Sequence, residues 1–139
     1  GYDIDCVFLT NSKRYNQHVT AITEKADTLK LIATSNLTRT NGCFDYKLDY
    51  ESLIDRDAVF MDNSFIMLLK ALVKAGVKAV ALAGIDGYSQ SADNYYSSQM
   101  EYEFAKRMGE EINSYVNHVL PEIEKKICVN FVTTTLYKK

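Results

Sequence analysis

Four short polar clusters each follow an apolar run: Asn11-Ser12, Ser35-Asn36, Gly84-Ile85-Asp86-Gly87-Tyr88 and Thr133-Thr134-Thr135. A fifth, Asp62-Asn63-Ser64, precedes an apolar run of helical length. Amides and hydroxyls form directional hydrogen bonds without net charge. Asp86 adds a carboxylate, and tyrosine rings suit stacking on bases or sugars. Gly84 and Gly87 allow backbone angles that bring the chain close to a ligand. This chemistry fits recognition of a polar ligand. The candidate binding residues are Asn11, Ser12, Asn36, Asn63, Ser64, Gly84, Asp86, Tyr88 and Tyr95, the last from the Tyr95-Tyr96 pair. Each has a structural alternative. Asn11 or Ser12 can cap a helix, Asn36 can open a turn, and Asp62 to Ser64 are all capping types. The Asp86 stretch can be a plain turn, and the tyrosine pair can pack on a core.

Other chemistries find less support. Asp86 has no second carboxylate close by in sequence to share a divalent cation. There is no nucleophile elbow, and neither GxGxxG nor GxxxxGK[ST] occurs. No cofactor motif stands out. Cys6, Cys43 and Cys128 are scattered, and neither His18 nor His118 is near them in sequence, so the thiols read as buried and free rather than as zinc ligands. Free thiols imply a reducing compartment, hence the cytoplasm.

The clusters have value only if the intervening elements bring them together. Ile4 to Thr10 reads as a buried strand, and Lys13 to Asp27 as a helix with Tyr15, Val19 and Ile22 inward and Ser12 as a candidate cap. Leu29 to Ser35 reads as a second strand. Phe44, Tyr46 and Leu48 alternate as an edge strand would. Phe65 to Gly76 is apolar nearly all round, with Lys70 and Lys74 on one solvated stripe and Gly76 as the left-handed cap. Val77 to Gly84 reads as a strand buried on both faces. A polar loop leads into a long helix from Met100 to Lys126. Its core stripe is Met108, Ile112, Tyr115, Val116, Val119 and Ile123, and Pro121 is expected to kink or restart it. Ile127 to Thr133 closes the series as a strand. Alternating strands and helices predict an α/β fold, a Rossmann-like three-layer sandwich with a mainly parallel sheet. In such a sheet ligands bind beyond the carboxyl ends of the strands, where the polar clusters lie.

The 139 residues suffice for one domain, and 47% hydrophobic with 24% charged residues is ordinary for a globular chain. A net charge of -2 with interspersed signs offers no electrostatic basis for nucleic-acid binding. No stretch approaches the ~20 apolar residues of a membrane span. The chain starts without Met and enters a strand almost at once, as expected of a fragment of a longer protein.

The block DNSFIMLLKALVKAGVKAVALAGIDGYS, with VFLTNSKRY before it and LIATSN between, resembles the C-terminal domain of certain bacterial proteins. Their N-terminal part is an aldolase-type barrel of the HMG-CoA lyase-like family, often labelled 4-hydroxy-2-oxovalerate aldolase. More distantly the chain is similar to bacterial CMP-sialic acid sialyltransferases and to 6-hydroxymethylpterin pyrophosphokinase-like proteins. The sialyltransferase resemblance implies a nucleotide-sugar site lined by Asn11, Asn36, Ser64, Asp86 and Tyr88, with Tyr95 or Tyr96 matching a later tyrosine. Two departures count against transferase chemistry: the glycine-rich strand and turn that starts those enzymes is missing, and His118, on a predicted helix, is the one candidate for their catalytic histidine. The expectation is therefore an accessory C-terminal domain that binds a nucleotide-sugar or other phosphorylated ligand and partners the barrel of its parent chain. The resemblance implies that aldolase residues belong to that barrel. A sugar-nucleotide-dependent glycosyltransferase-like domain and a non-catalytic interaction module, including a homodimer, are the alternatives.

Overall fold

The computed structural model describes residues 4–25, 27–39, 44–89 and 103–137. The element order is β1 (Cys6–Leu9), α1 (Ser12–Glu24), β2 (Lys30–Thr34), β3 (Tyr46–Leu48), a 3-10 turn (Tyr50–Ser52), α2 (Ser64–Lys74), β4 (Ala79–Leu82), α3 (Glu103–Glu124) and β5 (Cys128–Phe131). The chain is mixed α/β and divides into two compact units, Gly1–Ala71 and Leu72–Lys139. Among the described residues no helix is long and apolar enough to cross a membrane.

In the first unit β1, β2 and β3 form a parallel sheet in that order. Val7 is level with Leu31, and Leu9 with Ala33; Phe8 is level with Ile32 and Tyr46, and Thr34 with Leu48. Because side chains alternate along a strand, Val7, Leu9, Leu31 and Ala33 share one face, and Phe8, Thr34 and Leu48 the other. Each face has its own apolar cluster. Tyr15, Val19 and Ile22 of α1 join Leu9, Leu31 and Ala33. Met67 and Ala71 of α2 join Leu53, Ile54, Phe8 and Leu48. Burying a side chain such as Leu31, which is 1% exposed, contributes roughly 1.5–3 kcal/mol. Trimming it to Ala would cost about 2–5 kcal/mol.

The cap of α1 is Asn11, not Ser12. Asn11 holds an extended backbone and its Oδ1 accepts from the Arg14 N–H at 3.2 Å, which leaves Ser12 as the first helical residue. Lys70 is also not solvated as expected. It is half-buried and reaches the Ile54 carbonyl at 3.5 Å and Asp55 at 3.8 Å. A long lysine stem covers apolar surface while its head finds acceptors at the edge.

In the second unit α2 ends as its sequence predicts. Gly76 has φ +79°; its N–H donates to Val73 and the Val77 N–H to Leu72, both at 3.0 Å, the paired bonds of a Schellman cap. β4 and β5 pair in parallel, Ala79 level with Cys128 and Leu82 with Phe131. The expectation that the β4 strand is buried on both faces fails. Leu82 is buried, but Ala79 and Ala81 are exposed, as are Cys128 and Asn130 on the paired strand. Cys6 and Cys128 are free but exposed, not buried. Both stand at the first position of their strands, and Cys128 faces away from its buried neighbours Ile127 and Val129, on the exposed side of the β4–β5 pair. Cys43 lies outside the described residues. α3 is one helix through Pro121 and is not restarted there. Only its last turn follows, so the cost of the missing N–H falls near the end. Ile112, Val116, Leu120 and Ile123 are its buried stripe; Leu120, 0% exposed, was absent from the predicted set.

Candidate functional site

The ends of β1 and β2 and the starts of α1 and α2 meet in the first unit. Thr10, which follows β1 and is buried, has its Oγ1 2.6 Å from the Ser64 Oγ, the first residue of α2. The Thr10 carbonyl accepts from Asn36 Nδ2 at 3.2 Å, and the Thr34 hydroxyl donates to Asn36 Oδ1 at 2.5 Å. Asn36 thus uses both ends of its amide to join the two strand ends. Asn63 caps α2, its Oδ1 accepting from the Ile66 N–H at 3.1 Å. Around the same rim the Ser35 hydroxyl accepts the Tyr50 N–H at 3.0 Å. The Tyr50 hydroxyl donates to Asp62 at 3.4 Å. Burial, followed by the nearby Asp62 charge, pushes the Tyr50 phenol above its ordinary range.

Five predicted site residues, Asn11, Ser12, Asn36, Asn63 and Ser64, are therefore gathered, and four of them already make structural bonds. Asn11 and Asn63 cap helices, Asn36 braces strands, and Ser64 is paired with Thr10. Each cap satisfies one backbone donor, while an α-helix start carries four without an intrahelical partner. Neither α1 nor α2 has an acid in its first turn, and α1 has Lys13 and Arg14 there. Positive charge at a helix N-terminus opposes the macrodipole, at roughly 0.3–1 kcal/mol per group. The combination raises positive potential at the start of α1, while Asp62, just before the Asn63 cap, offsets it at the start of α2.

The second unit builds a separate loop cluster. The Gly84 N–H donates to Thr133 Oγ1 at 2.9 Å, and the Thr133 hydroxyl reaches Asp86 Oδ1 at 3.4 Å. Thr135 donates to the Ile85 carbonyl at 2.8 Å, and the Leu136 N–H to the Asp86 carbonyl at 2.8 Å. The threonines after β5 thus hold the segment after β4 in place. From α3, Asn113 grips Tyr88 on both backbone groups: the Tyr88 N–H donates to Oδ1 at 3.0 Å and Nδ2 donates to the Tyr88 carbonyl at 2.7 Å. Gly84 and Gly87 take positive φ, +71° and +84°. Asp86 stays exposed, whereas Tyr88 is half-buried against Gly109 of α3. Tyr95 lies outside the described residues. A cavity of about 410 Å³ lined by residues 124–129 includes none of the predicted site residues.

Sequence reasoning missed Thr10, Thr34, Tyr50 and Asn113. Thr10 and Thr34 stand at the ends of apolar runs, which hides them among strand residues. Asn113 did leave a signal: asparagine is a poor residue for a helix interior, so its presence there points to a role for the side chain. His18 and His118 are exposed, and among the described residues no three His, Cys, Asp or Glu side chains are grouped as metal ligands would be. No protein-family model, curated protein or solved structure matches the chain.

Proposed function

We propose that this chain is a ligand-binding accessory domain, and that the rim of its first unit holds the phosphate of a nucleotide-sugar or other phosphorylated ligand. The Thr10–Ser64 contact of 2.6 Å carries this reading, because it joins the starts of two helices at the carboxyl end of a parallel strand. Helix starts present N–H groups and a partial positive charge, which favour anions. Lys13 and Arg14 add full charges to the same end of α1. The Ser35 hydroxyl, which accepts the Tyr50 N–H and keeps its proton to donate, and the second N–H of the exposed Asn36 amide give the rim groups suited to a sugar.

The finer architecture we propose is the Rossmann-like three-layer sandwich. Its support is that each unit carries a small sheet, β1-β2-β3 in one and β4-β5 in the other, with all pairs parallel, as in the halves of a doubly wound fold. The accessory role and the aldolase-type barrel as partner follow from the resemblance of the DNS-to-DGYS block, and a cytoplasmic setting from the cysteines. The two exposed free thiols are compatible with a reducing compartment.

Amide chemical shifts followed during titration with inorganic phosphate, CMP, CMP-sugars and UDP-sugars test the ligand assignment. Saturable shifts are expected at residues 11–14 and 63–66, and Ser64→Ala should weaken them several-fold. Saturable shifts confined to other residues, or none with any of these ligands, would refute it.

A further inference from the structure

We draw no further inference here: the strongest candidate, the open face of the β4–β5 sheet where Ala79, Ala81, Cys128 and Asn130 are exposed, is a face of small residues, and nothing in the structure shows what covers it.

Discussion

Replacing Asn113 by Ala removes both hydrogen bonds that hold the Tyr88 backbone to α3, at 3.0 and 2.7 Å. A net loss of about 1 kcal/mol for each bond gives roughly 2 kcal/mol. That is about a 30-fold rise in the local opening equilibrium. Native-state hydrogen exchange at the Tyr88 amide reads this directly. The Gly84 amide, held by Thr133 rather than Asn113, should keep its protection. Asn113→Asp sharpens the test. The carboxylate can still accept the Tyr88 N–H but has no proton for the Tyr88 carbonyl, which it would face with like partial charge. At neutral pH exchange should be at least as fast as in Asn113→Ala, after correction for intrinsic rates. As pH falls and the introduced carboxyl takes a proton, it can donate again and protection should return. Parental protection of Tyr88 in Asn113→Ala, a loss at Gly84 as large as at Tyr88, or full protection in Asn113→Asp at neutral pH would each refute this role for Asn113.

Gly109→Ala should destabilise the protein even though it replaces glycine inside a helix. The added Cβ would meet Tyr88 Cβ at 2.7 Å, and about 1–3 kcal/mol of overpacking outweighs the roughly 1 kcal/mol propensity gain; a denaturant midpoint at or above the parent's would contradict this. Asp45 accepts from the Leu31 N–H at 2.8 Å and from Lys30 at 3.2 Å, which hold its carboxyl below the ordinary 3.8. Its stabilising contribution is full above that ordinary value and is lost as pH falls through the lower folded value, so the parent's advantage over Asp45→Asn should shrink in acid, as checked by unfolding at several pH values. Burial pushes the Tyr137 phenol from 10.0 to about 12. Its contribution is full below pH 10.0 and declines as pH rises through about 12. Ultraviolet titration should therefore show a late-ionising phenol that Tyr137→Phe removes, and the same substitution should flatten the alkaline loss of stability.

Local chemistry was legible wherever neighbours in sequence complete it. Gly76 after an apolar run, with Lys74 in the last turn, specified the end of α2 because the cap bonds close within six residues. The start of α1 was legible only to within one residue. Asn11 and Ser12 are both capping types, and the extended backbone at Asn11 makes it the cap. The AVAL run of β4 misled about burial, since alanine tolerates an exposed face and an apolar run alone does not separate one-sided from two-sided burial. The same ambiguity put Cys6 and Cys128 inside when both are exposed. Leu120, beside Pro121, belongs to the buried stripe of α3, and the helical spacing from Val116 includes it.

By itself the sequence determined the alternation of strands and helices, the mainly parallel sense of their pairing, the placing of Asn11, Asn36 and Asp86 just beyond apolar runs, and that of Ser64 at the start of one. These follow from short-range periodicity and from the alternation of strand and helix patterns, which suits crossovers between parallel strands. Tertiary structure decided which of those side chains are already bonded. Thr10 and Ser64 are 54 residues apart, and Thr133 and Asp86 are 47 apart. A hydroxyl carries no mark of a partner so distant along the chain. Only the register of the strands and the packing of helices on them bring such pairs within hydrogen-bond reach. That packing made Asn36 a brace between strand ends and bound the Asp86 segment to the threonines after β5.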